Sequence, residues 1–85
     1  MASVTNQISP PVKGVVVTPS DTADLPYGSP CRYIYVGGAG NVAVKLANDT
    51  AAITFVAVPV GTVLPVMAIK VMATGTTATN LLALY

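Results

Sequence analysis

The sequence predicts an all-β fold, a compact antiparallel β-sandwich or jelly-roll-like barrel of about six to seven short strands. Runs rich in Val, Ile, Thr and Tyr recur along the 85 residues. Turn-forming residues separate these runs about every 8–12 residues, which is typical of sandwiches and small barrels. No long stretch has apolar side chains three and four positions apart, so no long helix is expected.

We expect an N-terminal arm, residues 1–14, followed by a single β domain, residues 15–85. The arm is polar, and the Pro10-Pro11 pair disfavours both a helix and a central strand. The expected strands in chain order are Val15–Thr18, Cys31–Val36, Val42–Ala47, Ala52–Val58, Val63–Ala73 and Leu81–Tyr85. The run Val63–Ala73 is either one long strand or two pieces bent at Pro65.

Segments rich in Gly, Pro, Asn and Thr are expected to connect the strands. They are Pro19–Pro30, Gly37–Asn41, Asn48-Asp49, Pro59–Thr62 and Thr74–Asn80. We expect Gly37–Asn41 to be a hairpin turn in which glycine supplies positive φ angles.

The two-residue period of a strand assigns side chains to faces. In the second strand, Tyr33 and Tyr35 are expected to share one face, and Arg32, Ile34 and Val36 the other. Within Val63–Ala73, one face is expected to carry Met67, Ile69 and Val71, and the other Ala68, Lys70 and Met72.

Charged side chains are scarce: the chain has 4 Lys and Arg, 3 Asp and Glu, and no His or Trp. A soluble domain is usually about one quarter charged. The chain therefore either lies in a membrane or has much of its surface covered by other protein. Cys31 is the single cysteine and excludes a disulfide within the chain, so oligomerisation is the expected source of additional stability.

The uncharged run Thr50–Ile69 has about the length of a membrane span. Pro59, Gly61 and Pro65 interrupt it, and an interior Pro costs a helix about 3 kcal/mol. No cluster of Lys or Arg marks a cytoplasmic flank. We therefore expect two strands joined by a turn and no membrane partner, with a membrane-inserted peptide as a competing interpretation.

No group of side chains predicts catalysis, a metal site or a cofactor, so we do not expect an enzyme. Asp21 and Asp24 lie in a loop where such side chains usually make turn hydrogen bonds. Gly37–Gly40 lacks the Lys-Ser/Thr and the helix of a phosphate-binding loop. Cys31 has no visible base beside it, which indicates a packed thiol. Four scattered cations form no basic patch, so nucleic acid is not an expected partner.

Several strands are apolar on both faces, whereas a lone antiparallel sandwich usually has one polar, solvated face. A second apolar face indicates contact with copies of the same chain, as a trimer or a pentamer. The expected subunit-interface residues are Tyr33, Tyr35, Phe55, Val56, Met67, Leu82 and Leu84.

Four runs of sequence together resemble a known family. They are Val17–Pro26 (VTPSDTADLP), Arg32–Val44 (RYIYVGGAGNVAV), Thr54–Val66 (TFVAVPVGTVLPV) and Val71–Thr79 (VMATGTTAT). The pattern is similar to the small head spike base and capsid decoration proteins of tailed phages and gene transfer agents. The resemblance extends from about Val17 to Tyr85.

The resemblance implies a structural protein on the exterior of a virion, and the single cysteine fits synthesis in the reducing host cytoplasm. It implies a β-structured oligomer bound to the major capsid protein, sometimes with a spike fibre. Two roles fit such a member, a vertex spike base and a decoration (cement) protein spread over the shell. We expect capsid contact through the loop before the second strand, with the arm as a second contact. The expected loop residues are Pro19, Asp21, Asp24, Leu25, Pro26 and Tyr27.

A β-sandwich carbohydrate-binding or host-adhesion module is the alternative function. Aromatic rings stack on the apolar faces of sugars, and four tyrosines could form such a surface: Tyr27, Tyr33, Tyr35 and Tyr85. Without Trp, the same side chains are more typical of an interface or a core.

Overall fold

The computed structural model describes residues 10–25 and 30–85. Seven strands lie in these ranges, and none of the described residues is helical. The strands are β1 (Gly14–Val16), β2 (Tyr33–Gly38), β3 (Gly40–Leu46), β4 (Ile53–Val58), β5 (Val63–Leu64), β6 (Ala68–Val71) and β7 (Thr79–Leu84). The predicted all-β fold is confirmed. Of the two alternatives for Val63–Ala73, the two-piece form is correct.

The strands form two antiparallel sheets. Sheet A has the order β1-β7-β2-β5, and sheet B has the order β4-β3-β6. The two ends of the described chain meet in sheet A, because β1 pairs with β7. Neighbouring strands are therefore often distant in sequence.

The core lies between the sheets and consists of aliphatic side chains. In sheet A, the pairing register aligns Val15, Ala83, Ile34 and Leu64 across all four strands on the inner face. Sheet B contributes inner residues that include Val42, Val44 and Val71. Full burial of a Val, Leu or Ile side chain stabilises a fold by about 1.5–3 kcal/mol. Ile34 and Val36, which were predicted to share a face, are both fully buried on the inner side, whereas Arg32, predicted on the same face, precedes the strand and is exposed.

The predicted hairpin at Gly37–Asn41 is wrong. β2 continues through Gly38 and β3 begins at Gly40, and the two strands lie in different sheets. The glycines permit close backbone approach at this crossing. A Cβ atom on Gly40 would lie 2.6 Å from the amide nitrogen of Ala78.

The predicted alternation of faces in β6 is also wrong. Ala68 and Val71 are both buried, although a regular strand would place them on opposite faces. A register irregularity opposite Lys45 and Leu46 explains this, because Lys45 pairs with Lys70 while Leu46 pairs with Ala68. A bulge of this kind leaves one extra residue unpaired and shifts the side chains that follow.

The segment from Thr74 to Ala78 is held against β3 by threonine side chains. The Ala43 amide donates a hydrogen bond to Oγ1 of Thr76 (3.0 Å), and the Asn41 amide donates one to Oγ1 of Thr77 (2.8 Å). The Thr77 and Ala78 amides donate to the Asn41 carbonyl in return. The segment therefore continues the pairing of β3 where β6 has ended.

Residues 1–9 of the predicted arm lie outside the described residues. Next to β1, the amides of Val12 and Lys13 donate to the Tyr85 carbonyl at 2.6 and 3.3 Å. This pairing extends the contact between β1 and the C-terminal strand. In the described part of the chain, no helix is long and apolar enough to cross a bilayer.

Candidate assembly surfaces

The outer face of sheet A is apolar, and its composition follows from the strand register. Side chains paired across neighbouring strands point to the same face of a sheet. Val16 pairs with Leu82, Leu82 with Tyr35, and Tyr35 with Val63. A second row pairs Leu84 with Tyr33. We call this surface the sheet A face and define it by Val16, Tyr33, Tyr35, Leu82 and Leu84.

The sheet A face is open to solvent in the single chain. Val16 is 74% exposed, and the other four side chains are half-buried. None of the five carries a charge. A monomeric soluble protein rarely exposes a large continuous apolar patch, and such patches usually mark contacts with other protein.

A second apolar surface runs from β4 through the following turn to β5. We call it the β4–β5 edge and define it by Ile53, Val56, Val60 and Val63. Of the seven large apolar side chains that are exposed in the described residues, these are four. β4 is a terminal strand of sheet B and β5 is a terminal strand of sheet A, so one edge of each sheet lies along this segment. This exposed edge lies within the uncharged run that has the length of a membrane span.

A bulge shapes the β4–β5 edge. Gly40 pairs with Val58 while Val42 pairs with Phe55, so β4 contains one more residue than the facing part of β3. Ala57 has a positive φ of 56°, and its amide donates to Oδ1 of Asn41 at 2.9 Å. The adjacent Val56 is 72% exposed. Val56 faces outward by regular alternation after Phe55, and the bulge then returns Val58 to the core, where it is buried.

The predicted capsid-contact loop lies along the opposite edge of sheet B. The Ser20 amide donates to the Val71 carbonyl at 2.8 Å, and the Leu25 amide donates to the Ile69 carbonyl at 2.7 Å. Leu25 itself is buried in the core cluster and anchors the loop. This pairing covers the outer edge of β6.

Both predicted loop carboxylates have partners within the chain. Asp21 accepts hydrogen bonds from the Thr74 amide (2.9 Å) and hydroxyl (2.6 Å). These bonds, the hydroxyl first, lower the pKa of the Asp21 carboxyl. Asp24 lies 3.6 Å from Nζ of Lys70 and its side chain stays largely exposed. The described part of the loop, residues 19–25, is therefore held in place by contacts within the chain and carries two carboxylates; Pro26 and Tyr27 lie outside the described residues.

The predicted interface residues divide between two surfaces. Tyr33, Tyr35, Leu82 and Leu84 come together on the sheet A face, while Val56 lies on the β4–β5 edge. Two others lie on neither surface. Phe55 packs partly against the core, and Met67 is exposed in the connection between β5 and β6.

The predicted interface residues did not include four residues of these surfaces, Val16, Ile53, Val60 and Val63. Val16 stands in an unbroken run of three valines, in which the two-residue period does not reveal which one faces outward. Val63 becomes part of the apolar row only through its pairing with Tyr35. Val60 could have been found from the sequence, because it stands in a predicted turn, where a large apolar side chain is uncommon.

The groups that could carry chemistry are few. Cys31 is buried, its thiol donates to the Val66 carbonyl at 3.6 Å, and desolvation raises the pKa of the thiol. A cleft of about 260 Å³ lies beside β1, with Val16, Val17, Leu25 and Val71 in its lining and Asp24 as its ionisable residue. No group of three potential metal ligands occurs in residues 10–25 and 30–85.

The fold and its surfaces define a small two-sheet β protein whose exposed groups suit contacts with other protein. A solved structure of the capsid of a native gene transfer agent particle, computed with C5 symmetry, contains a similar chain. The two chains are 34% identical with a TM-score of 0.76, and the match covers 91% of this chain and 86% of that one. The chain belongs to the same protein family as that chain of the capsid particle. No protein-family model and no curated protein matches the sequence.

Proposed function

We propose that the chain is a structural virion protein on the exterior of a phage-like capsid, where it binds the major capsid protein as a cyclic oligomer. The observation that carries the proposal is the 34% identity, over nearly the whole of both chains, to a component of a gene transfer agent capsid. The role is that of a decoration protein or a head spike base.

The surfaces of the chain support a role in assembly. The sheet A face and the β4–β5 edge are uncharged and open, as expected of surfaces that neighbouring copies cover. Among the described residues there is no group of three potential metal ligands, and the Cys31 thiol is buried. Binding, rather than bond-making chemistry, is therefore the activity that these side chains suit.

The capsid contact is assigned to the loop on the β6 edge, with the arm as a second contact. The loop is held by backbone hydrogen bonds to β6 and by the Asp21–Thr74 and Asp24–Lys70 contacts. A preformed loop loses little conformational entropy on binding. Because a ring presents one loop per copy, a modest affinity per loop becomes strong attachment through multivalency.

The proposal is tested by measuring whether the protein co-sediments with capsids from the same source as the chain. The wild-type protein is expected to pellet with capsids. Asp24→Lys, which reverses the exposed charge of the loop, is expected to weaken attachment about tenfold or more, the effect of losing about 1.4 kcal/mol of binding. Asp49→Lys makes the same change in the turn between β3 and β4 and serves as the matched control.

Native mass measured in parallel shows whether each variant still assembles. Wild-type protein that stays in the supernatant with intact capsids would contradict the proposed function. Equal attachment of Asp24→Lys and Asp49→Lys would contradict the assignment of the capsid contact to the loop, but it would leave the proposed function intact.

A further inference from the structure

We infer that the cleft beside β1 binds a lysine side chain of the protein that forms the shell, with its apolar stem in the cleft and its ammonium group on Asp24. The inference rests on the proposed function, because it takes the loop on the β6 edge as the side that meets the shell. It adds the place of the contact and the chemistry of the group that is bound there.

The cleft lies where one edge of each sheet meets the loop. β1 is a terminal strand of sheet A, and β6 is a terminal strand of sheet B. Val16 and Val17 line the cleft from the side of β1, and Ala23, Asp24 and Leu25 line it from the loop. A partner that contacts the loop therefore also faces the cleft.

The size and the lining of the cleft suit one side chain of a partner protein. Its volume is about 260 Å³, whereas small-molecule pockets usually have about 300–1,000 Å³. Its valine and leucine side chains can pack against the methylene groups of a long side chain, as lysine stems pack on apolar surfaces. Asp24 is the one ionisable residue in the lining. The cleft therefore favours a side chain with an apolar stem and a cationic end.

The charge of the loop favours a cation as well. Residues 19–25 contain two carboxylates, Asp21 and Asp24, and neither Lys nor Arg. Lys70 of β6 lies near both: it pairs with Asp24, and it adds to the Thr74 hydrogen bonds that chiefly lower the pKa of the Asp21 carboxyl. Lys45 lies one strand further from the loop, opposite Lys70. One adjacent ammonium group thus balances only part of the negative charge.

The Asp24 carboxylate has room for a second cation. Its Oδ1 atom lies 3.6 Å from Nζ of Lys70, and its side chain is 67% exposed. Both oxygens of a carboxylate accept hydrogen bonds, so Oδ2 is left for a partner. Arginine binds a carboxylate best through both oxygens at once, whereas the compact ammonium group of lysine needs one. The geometry therefore fits a lysine better than an arginine.

Two variants of the loop test the two parts of this site. Asp24→Asn removes the charge and keeps the shape of the side chain, and Ala23→Phe fills the cleft from an exposed position. The matched controls Asp49→Asn and Ala51→Phe make the same changes between β3 and β4, outside the loop. Circular dichroism and native mass show that each variant folds and assembles.

A third variant separates the charge of Asp24 from its effect on the loop. Lys70→Met removes the ion pair within the chain and leaves Asp24 charged. Since Lys70 repels an arriving ammonium group, this variant is expected to attach to capsids at least as strongly as the wild type. If Asp24 acted only by holding the loop, Lys70→Met would be as weak as Asp24→Asn.

Co-sedimentation with capsids over a range of salt concentrations measures attachment. Asp24→Asn is expected to weaken it about fivefold or more at low salt, because every loop of the ring loses one ion pair. The difference from the wild type should shrink as salt screens the charges. Ala23→Phe is expected to weaken attachment at every salt concentration, and both controls should attach like the wild type.

Carbodiimide coupling identifies the bound group. This reagent joins a carboxylate to a lysine amine in direct contact, and mass spectrometry of the digested complex locates the link. In the wild-type complex, Asp24 is expected to be linked to a lysine of the shell protein. The same link should be missing from the complex of Asp24→Asn.

Four outcomes would overturn the inference. Equal weakening by Asp24→Asn and Lys70→Met would mean that Asp24 only holds the loop. Unchanged attachment of Ala23→Phe would mean that nothing enters the cleft. Weakening by Ala23→Phe but not by Asp24→Asn would mean that a neutral side chain enters it. A wild-type complex without a link from Asp24 to a shell lysine would mean that another donor is bound.

The wild-type protein distinguishes these failures from a failure of the proposed function. If it pellets with capsids while the variants give one of the four outcomes, the inference alone is wrong. If it stays in the supernatant with intact capsids, the proposed function is wrong, and the inference is overturned with it.

Discussion

Thr76 and Thr77 show how single side chains continue the pairing of β3 in place of a strand. Each places a hydroxyl oxygen where a strand would place a backbone carbonyl, and each accepts a hydrogen bond from β3. The Ala43 amide that Thr76 accepts from lies in a residue with only 2% of its surface exposed. A buried amide without a partner costs about 1–3 kcal/mol, so Thr76 is important for sheet B.

We predict that Thr76→Val lowers the free energy of unfolding by about 1–3 kcal/mol, because the valine leaves the buried Ala43 amide without an acceptor. Thr50→Val, at an exposed position before β4, is the control and should change stability by less than about 0.5 kcal/mol. Chemical denaturation of both variants measures the difference. Equal stability of the two variants would show that Thr76 does not satisfy Ala43.

The Asp21 carboxylate gives the loop a defined pH dependence. Its pKa is lowered by the Thr74 hydrogen bonds, so the contact is favoured while Asp21 is charged. A lowered pKa contributes stability above the ordinary carboxyl pKa and loses it as the pH falls through the lowered value. The contact is therefore complete at neutral pH.

We predict that the Thr74 amide resonance shifts with pH, with a midpoint below the ordinary Asp pKa, as the loop contact is lost on acidification. An NMR titration measures the midpoint. Asp21→Asn should remove this transition while leaving those of other carboxyls in place. A midpoint at or above the ordinary Asp pKa would contradict the assigned hydrogen bonds.

At the scale of elements, local patterns predicted the strands but not their partners. The alternation of Tyr33 to Val36 identifies the inner and outer sides of β2, because that strand is regular. The hairpin expected at Gly37–Asn41 is wrong because a turn pattern does not reveal which sheet the next strand will join. The β6 faces differ because the bulge depends on β3, which lies far away in sequence.

The candidate surfaces show the same limit. Five of the predicted interface residues lie on the two surfaces, since periodicity was sufficient to place them. Val16 lies in the apolar row of sheet A through its pairing with Leu82, and Val63 extends this row through its pairing with Tyr35. No local sequence pattern reveals these pairings. The loop carboxylates were expected to make turn hydrogen bonds, which is wrong for both: Asp21 accepts from Thr74, 53 residues away, and Asp24 contacts Lys70.

We predict that Ile34→Ala lowers the free energy of unfolding by about 2–5 kcal/mol, since Ile34 is fully buried on the inner face of sheet A. Val12→Ala, at an exposed position before β1, is the control and should cost less than about 0.5 kcal/mol. Urea denaturation provides both values. A small loss for Ile34→Ala would mean that the two faces of β2 are assigned the wrong way round.

At the scale of the whole molecule, the scarcity of charged residues is explained by assembly with other protein. The uncharged run Thr50–Ile69 folds into β4, a turn, β5 and the start of β6, and much of it borders the sandwich as an open apolar edge. A small domain without a disulfide gains stability from its neighbours. In the proposed oligomer, neighbouring copies cover apolar surface that a single chain leaves open to water.

The native mass of the purified wild-type chain tests this account most directly. We predict a closed ring, about 26 kDa for three chains of 8.6 kDa or about 43 kDa for five. Five copies suit a head spike base at a five-fold vertex, and three suit a decoration site on the shell. A stable, soluble monomer at 8.6 kDa would contradict the account, because both apolar surfaces would then be open to water.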